Sequence, residues 1–294
     1  MQSYFSFAEC PPSRVALCRV RQSILGHGRQ RKTPEPSPAR GRERTIRGLD
    51  HQYTPEMPRV GSPMSDPYQR YVDALTPGVS AERLLRYRRP ADTDALDALA
   101  RYAWNMALAE ALYPALQCIE IALRNSLHTA VAAAGGQPQW LTTTPSALVN
   151  REAIKVAEAV QALARQTKPI TAGRLIAELN FGFWTSLLDR RYEPALWPAL
   201  LKASFPHMPR RRRTRQELSK RFTEIRHLRN RVFHHEPIWH WRDLPQQHAD
   251  LSEALAWINP ALATAVGAID RFSTIYGSGA APLRAQLEPV ARTP

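Results

Sequence analysis

The feature that most constrains the fold is a helical spacing of apolar residues, which runs through the chain from Tyr68 onward. Residues three and four apart share one face of a helix, whereas a strand alternates between two faces at every residue. No segment with a period of two stands out, so the sequence predicts an all-α fold. The clearest apolar stripes are Leu96, Leu99, Ala103 and Met106; Leu116, Ile119, Leu123 and Leu127; Leu175, Leu179, Phe183 and Leu187; and Leu218, Phe222, Ile225, Leu228 and Val232.

Start and stop signals divide this pattern into separate helices. Proline suits the first turn of a helix, and a pair of glycines favours its end. These signals predict seven helical segments: Asp92–Ala111, Pro114–Ala133, Ser146–Gln166, Thr171–Asp189, a short piece at Glu193–Lys202, Thr214–His235, and His248–Tyr276 with a kink at Pro260.

The N-terminal region, residues 1–63, has a different composition, with eight prolines and eleven basic against five acidic residues. Such a segment cannot bury enough apolar surface to fold, so we expect it to be disordered. Two alternatives remain: it is a mis-assigned extension of a protein that starts at Met64, or it is a basic arm that binds nucleic acid. Residues 64–277 are predicted to form the helical domain and residues 278–294 a flexible tail.

The charge of the chain indicates its class of partner. It has 40 Lys+Arg and 26 Asp+Glu, a formal net charge of +14. Such an excess attracts polyanions through counterion release, so RNA, DNA and acidic membranes are all candidates. We find no Walker loop, nucleophile elbow, Rossmann glycine fingerprint or paired-carboxylate metal site, which disfavours those enzyme classes.

The sequence predicts a cytoplasmic location. The longest nearly uncharged apolar run after the first helices, Ala254–Ile269, is short and interrupted by an Asn-Pro pair, so it does not meet the length needed to span a membrane. No secretory segment follows the N-terminal methionine. Cys10, Cys18 and Cys118 are an odd number without metal-ligand spacing, so we expect no disulfide framework.

The side chains best suited to catalysis lie in Glu224–Ile238, EIRHLRNRVFHHEPI. This is a basic helical segment, and Pro237 makes continuation of the helix unfavourable. Asn230 lies four residues before His234, so the two share a helix face and Asn230 can fix the tautomer of the imidazole. Arg229 adds a guanidinium, which binds phosphate bidentately, while an imidazole titrates near pH ~6.5 and can accept and return protons. The group suits phosphodiester chemistry; the alternative is a solvated helix end with capping interactions.

The phrase RNRVFHHEP resembles the signature of the Abi-like (AbiD/AbiF-type) abortive-infection proteins, members of the HEPN ribonuclease superfamily. That signature is Arg-x4–6-His with a polar residue, often Asn, after the Arg. Here Arg229, Asn230 and His234 match it, and His235 fits the x5 spacing.

Two further stretches, Tyr102–His128 and Leu179–Leu188, read like the corresponding helices of Abi-like proteins. The resemblance covers roughly residues 65–276. It implies a HEPN-like helical bundle with additional helices.

The resemblance also implies a function, a metal-independent endoribonuclease of phage defence without a cofactor. A histidine would accept the proton of an RNA 2′-hydroxyl, which attacks the adjacent phosphorus, and Arg229 would stabilise the transition state. A second histidine must protonate the leaving oxygen: HEPN ribonucleases usually dimerise, so it is His234 of a second copy, or else His235 of the same chain. The trigger, the target RNA and any antitoxin or regulatory RNA are not encoded in the motif. The alternative from another class is a non-catalytic RNA-binding or assembly module.

A second polar group, Glu120, Arg124 and Asn125, lies within a mostly apolar helix. Glu120 and Arg124 are four apart and can form an ordinary intrahelical ion pair. A similar phrase recurs on this helix in Abi-like proteins, which suggests instead that these residues brace the Arg229/His234 site.

Basic residues precede the motif directly and form a candidate phosphate-tracking groove for RNA. They are Arg210, Arg211, Arg212, Arg213 and Arg215.

Five of the nine histidines fall between His227 and His248, but no convincing third ligand accompanies the short spacings, so we expect no metal site. Trp239 and Trp241 flank His240. Packing in the core or at an interface is the predicted role of these tryptophans, and base stacking is the alternative.

Overall fold

The computed structural model describes residues 66–135, 137–143, 148–197 and 199–292, and these form helices joined by turns and loops. No strand occurs among them, which confirms the all-α prediction. The N-terminal segment 1–63, with Cys10 and Cys18, lies outside the described residues. The helices are α1 (Gln69–Val79), α2 (Ala81–Leu85), α3 (Ala95–Gly135), α4 (Trp140–Thr143), α5 (Asn150–Arg165), α6 (Ala172–Glu178), α7 (Phe181–Ser186), α8 (Glu193–Leu196), α9 (Leu201–Ser204), α10 (Arg215–Phe233), α11 (Leu244–Ile258), α12 (Pro260–Ala268), α13 (Phe272–Ser278) and α14 (Ala281–Ala291), with a 3₁₀ turn at Arg190–Tyr192.

The chain divides into two compact units, each made of segments distant in sequence. The first unit consists of the described residues of Tyr113–Asn230 and Gln246–Asp270. The second consists of the described residues up to Leu112, together with Arg231–Pro245 and those from Arg271 on. Helices α3, α10 and α11 each contain residues of both units.

The sequence predicts two helices separated at Pro114. The structure has a single helix instead, because α3 runs without a break from Ala95 to Gly135. Pro114 removes one backbone donor, at a cost of about 3 kcal/mol in a helix interior. The apolar residues on both sides are almost fully buried, and this burial outweighs the cost; they include Leu108, Leu112, Leu116 and Ile119. By length and composition α3 could also cross a membrane, a test that core helices pass as well.

Most of the predicted apolar stripes are buried, including all five of the motif helix α10. The prediction was wrong for Met106, whose side chain is 51% exposed. Aromatic contacts mark the core of the first unit, where the rings of Phe205 and Phe222 lie 5.6 Å apart and those of Phe183 and Trp184 lie 5.0 Å apart.

Two predicted long helices are interrupted at asparagines that cap the next helix. Thr171–Asp189 breaks at Leu179, after which the side chain of Asn180 accepts a hydrogen bond from the amide of Phe183 at 2.9 Å. His248–Tyr276 breaks rather than kinks before Pro260, where Asn259 accepts from the amide of Leu262. Asparagine is among the best N-caps, and proline suits the position that follows it.

Residues 278–294 were predicted to form a flexible tail, but residues 281–291 form helix α14. Leu287 and Ala291 of this helix pack into the core of the second unit, which includes Tyr68 and Leu96. Arg284 donates hydrogen bonds to Asp94 and Asp97, and these carboxylates lie within 2.7–2.9 Å of its guanidinium nitrogens. The tail folds because its i, i+4 apolar residues and its arginine have partners that are distant in sequence.

Candidate active site

The motif lies at the end of α10, a helix that begins with a side-chain cap. The hydroxyl of Thr214 accepts a hydrogen bond from the amide of Glu217 at 3.1 Å, and the helix then continues to Phe233. The dividing line between the two units falls after Asn230. Arg229 and Asn230 therefore belong to the first unit, and His234 and His235 to the second.

Arg229 is held by an ion pair with Glu120 of α3. The Nε atom of Arg229 lies 3.3 Å from Oε2 of Glu120, and the two side chains are only 25% and 21% exposed. Glu120 thus pairs with Arg229 rather than with Arg124 on its own helix. The contact orients a permanent cation within the first unit, and Asn230 next to it is half-buried.

The other two members of the predicted supporting group differ from each other. Asn125 is exposed. Arg124 is half-buried, and its Nε atom is shielded from solvent without a hydrogen-bond partner in the described part of the chain.

The histidine end of the motif is a Schellman turn, a common way to end a helix. The amide of His235 donates to the carbonyl of Val232 at 3.1 Å, and that of Glu236 donates to the carbonyl of Arg231 at 2.9 Å. His235 takes the left-handed conformation, with φ of 58°, a position that glycine usually occupies. Both His234 and His235 are exposed.

Two side chains that the sequence reasoning missed fix the backbone after this turn. Oδ1 of Asn105, a residue 5% exposed, accepts hydrogen bonds from the amides of Ile238 and Trp239 at 2.7 and 3.2 Å. Nη1 of Arg83 donates to the carbonyl oxygen of His235 at 2.8 Å. For Asn105 the sequence does contain a signal, since it is a single asparagine in the apolar phrase YAWNMAL. A buried amide needs hydrogen-bond partners, so such a residue is expected to contact another segment.

A cleft of about 160 Å³ opens beside His235 in the second unit. Two arginines line it, Arg83 and Arg86, and Arg86 lies 3.6 Å from Glu82 in an exposed ion pair. The remaining lining residues are Ser80, Glu82, Glu236 and Pro237. The imidazole-bearing turn thus borders a space large enough for a small polar group.

Trp239 is buried, as predicted, and packs among charged and aromatic side chains of the second unit. The guanidinium of Arg89 lies 4.4 Å from the centroid of its ring, that of Arg101 lies 5.6 Å away, and the ring of Tyr87 is stacked at 6.1 Å. Burial raises the pKa of Tyr87 to about 12. Base stacking on Trp239 is therefore excluded in this conformation, and its role is packing.

The predicted RNA-binding arginines separate into two groups. Arg210 and Arg211 are exposed. Arg212 pairs with Glu253 at 2.7 Å, Arg215 pairs with Glu193 at 3.0 Å, and Arg213 donates to the carbonyl of Pro206 at 3.1 Å and to that of Met208. The last three guanidiniums make contacts within the first unit, and the RNA-binding role of the five arginines stays a prediction.

Metal-binding side chains do not gather in the part of the chain that the structure describes, where no group of three or more His, Cys, Asp and Glu has the arrangement of a metal site. Comparison of the chain with protein-family models, with curated proteins and with solved structures finds no match.

Proposed function

We propose that this chain is a metal-independent endoribonuclease of the Abi-like HEPN type, with Arg229 and His234 as its catalytic residues. The observation that supports the proposal most is the ion pair between Glu120 and Arg229. It orients a phosphate-binding side chain at the start of an Arg-x4-His spacing. Fixed charges of this kind lower the barrier of reactions that develop negative charge, and one such donor is worth about 3–4 kcal/mol.

The reaction is an attack within the RNA. A histidine takes the proton from a 2′-hydroxyl, the 2′-oxygen bonds to the adjacent phosphorus, and the bond from phosphorus to the 5′-oxygen breaks. A second, protonated histidine gives its proton to the leaving 5′-oxygen. The products are a 2′,3′-cyclic phosphate and a free 5′-hydroxyl, and Arg229 stabilises the extra negative charge on the phosphoryl oxygens as bonding changes.

Two sources of the second histidine remain in the proposal. In a homodimer, His234 of a second copy supplies it. Within one chain, His235 supplies it, and the cleft that His235 lines supports this possibility.

The biological role in this proposal is abortive infection, in which a dormant cytoplasmic nuclease attacks RNA when phage infects. An antitoxin or a regulatory RNA would keep such an enzyme inactive. This step rests on the resemblance of the motif, because fold and site chemistry do not encode a trigger.

The test is cleavage of end-labelled RNA by the full chain in excess EDTA, with the product ends analysed. We expect the wild type to leave cyclic phosphates and His234→Ala to lose at least about a hundredfold in rate. His227→Ala is the matched control, because His227 is an exposed histidine of α10, the helix that ends directly before His234. If His227→Ala loses as much as His234→Ala, or if EDTA abolishes cleavage by the wild type, the proposed chemistry is wrong.

A second candidate function is a non-catalytic RNA-binding or assembly module. The same ion pair also fits this function, because a cation held in place binds a phosphate of intact RNA as well as one that is being cleaved. In this case neither the wild type nor His234→Ala cleaves RNA, and both bind it with equal affinity. Arg229→Gln would then weaken RNA binding without any change in product formation.

A further inference from the structure

Two arginines approach one buried carboxylate in the first unit, away from the arginine run that the sequence singles out, and a lysine and a third arginine lie near enough for their charges to interact with this group. Arg151 and Lys155 come from the first two turns of α5, and Arg191 from the 3₁₀ turn that follows α7. Arg226 comes from the motif helix α10. The carboxylate is that of Glu152, and we call the group the Glu152 cluster.

Glu152 is the fixed centre of this cluster, because its side chain is 0% exposed. The hydroxyl of Tyr192 donates a hydrogen bond to its Oε2 at 3.0 Å. Arg151 and Arg191 approach its two oxygens, each at 3.8 Å. A buried carboxylate is costly unless cations and donors surround it, so it draws basic side chains of separate elements to one place.

The cluster has more positive than negative charge. Arg191 also pairs with Asp189 at 2.8 Å, so two carboxylates face four cations. Among the described residues neither Lys155 nor Arg226 has a carboxylate within ion-pair distance, and Nη1 of Arg226 donates only to the hydroxyl of Thr185, at 3.3 Å. Burial lowers the pKa of Lys155, and the charges of Arg151, Arg226 and Arg191 lower it further, against the opposing effect of Glu152. Lys155 therefore lies in a positive potential.

We propose that the Glu152 cluster binds consecutive phosphates of single-stranded RNA, with Lys155 and Arg226 as the residues that bind them directly. That the polyanion is RNA rests on the proposed function. Arg226 lies one turn before Arg229 on α10, a rise of about 4.5 Å. A strand held at Arg226 is thus led along the helix toward the side chain that would bind the scissile phosphate. A bound phosphate relieves the repulsion between neighbouring cations in the cluster. Each phosphate that a cation neutralises also releases counterions, and both effects favour binding.

Two exposed lysines of the same unit provide a matched comparison. Lys168 and Lys202 are exposed, and neither forms an ion pair among the described residues. They come from separate segments of the chain, whereas the Glu152 cluster brings cations of three elements close together. Two charges in the cluster should therefore contribute more to phosphate binding than these two lysines.

The experiment measures the affinity of labelled single-stranded RNA by fluorescence anisotropy, with the full chain carrying His234→Ala so that the probe stays intact. The test variant adds Lys155→Gln and Arg226→Gln, and the control adds Lys168→Gln and Lys202→Gln, which removes the same charge. We expect the test variant to bind at least about tenfold more weakly at low salt and its salt slope to fall by about 1.4, or about 0.7 for each phosphate that is no longer neutralised. The control should change affinity less than about threefold.

Stability separates binding from a structural role. Neither Lys155 nor Arg226 pairs with a carboxylate, so the test variant should lose only the hydrogen bond from Arg226 to Thr185, and its thermal midpoint should fall by about 2–4 °C at most. Unfolding of the test variant at the temperature of the binding assay would make the cluster structural and overturn the proposal. Equal affinity losses in the test and control variants would also overturn it, as would binding of phosphatidylserine vesicles by a chain that does not bind RNA.

Cleavage is recorded separately, so that the two proposals fail in different ways. If the chain with intact His234 cleaves RNA while Lys155→Gln and Arg226→Gln leave the affinity unchanged, the inference is wrong and the proposed function stands. If the affinity falls as expected while no variant cleaves RNA, the cluster is an RNA site and the nuclease proposal is wrong.

Discussion

The two ends of the motif segment are held by different physical means. At the arginine end, a side-chain ion pair with Glu120 orients Arg229, which projects from a regular helix. At the histidine end, backbone hydrogen bonds define a Schellman turn, and His235 takes a left-handed conformation within it. One end depends on charge and the other on backbone geometry.

This difference determines what substitution can do at each end. Removal of a charge at the arginine end leaves the helix intact, so function should change more than stability. Changes at the histidine end alter the path of the backbone, whose position Asn105 and Arg83 also determine. Stability and function should therefore respond together there.

The largest effect is expected for Asn105→Ala. The substitution leaves the buried amides of Ile238 and Trp239 without an acceptor, and each buried unsatisfied group costs about 1–3 kcal/mol, so the free energy of unfolding should fall by about 2–4 kcal/mol. Urea denaturation measures this loss. Asn125→Ala, an exposed position on the same helix, is the control and should change stability by less than about 0.5 kcal/mol. Similar losses in both variants would show that Asn105 does not fix the histidine end.

The next effect concerns the arginine end, where Glu120→Gln keeps the size of the side chain and removes its charge. Arg229 then loses its ion pair with Glu120, and we expect the cleavage rate to fall about tenfold, or about 1.4 kcal/mol, with RNA affinity little changed. Glu110→Gln is the control, because Glu110 lies on the same helix in an ion pair with Arg271 at 2.6 Å but is 69% exposed. An unchanged rate in Glu120→Gln would separate the ion pair from catalysis, and the second candidate function would gain support.

The sequence predicts one end of the motif better than the other, and the reason is physical. Helix α10 is predicted as Thr214–His235 and spans Arg215–Phe233, because its apolar residues recur at three and four and Thr214 caps it. A glycine would have signalled the Schellman turn, but His235 occupies that position. The hydrogen bond that Asn105 accepts and the one that Arg83 donates join residues more than 100 positions apart, and no local pattern encodes such contacts.

The sequence predicts how many cations the chain has, but it does not predict which of them are free of carboxylate partners. The arginine run stands out because its members are adjacent, yet Arg212 and Arg215 pair with Glu253 and Glu193, which lie 41 and 22 residues away. The Glu152 cluster does not stand out because its cations are scattered along the chain. A dense run shows where cations occur, whereas the fold decides which of them have partners.

A smaller effect, opposite in sign, is expected for His235→Gly at the histidine end. Glycine adopts a positive φ without steric cost, so the variant should be about 0.5–1 kcal/mol more stable than the wild type, whereas His235→Ala keeps a Cβ and should not gain. Thermal or urea unfolding measures the difference between the two variants. Both lack the imidazole, so an equal loss of cleavage in both would identify His235 as the second proton-transfer residue. Full activity in both would assign that role to His234 of a second copy.

The smallest effect is expected for Arg83→Gln, which removes a donor from the carbonyl oxygen of His235. Asn105 still holds the next residues, so only the turn itself should loosen, by about 0.5 kcal/mol, and its amides should exchange hydrogen about twofold faster. Arg86→Gln is the matched control, because Arg86 lines the same cleft and pairs with the exposed Glu82 instead of the backbone. Faster exchange confined to Arg83→Gln would show that the backbone contact positions the histidine end. If the amides of the turn exchange at the same rate in the two variants, the Schellman hydrogen bonds alone fix His235. The histidine end would then be held by the hydrogen bonds of its own turn and not by the contact with Arg83.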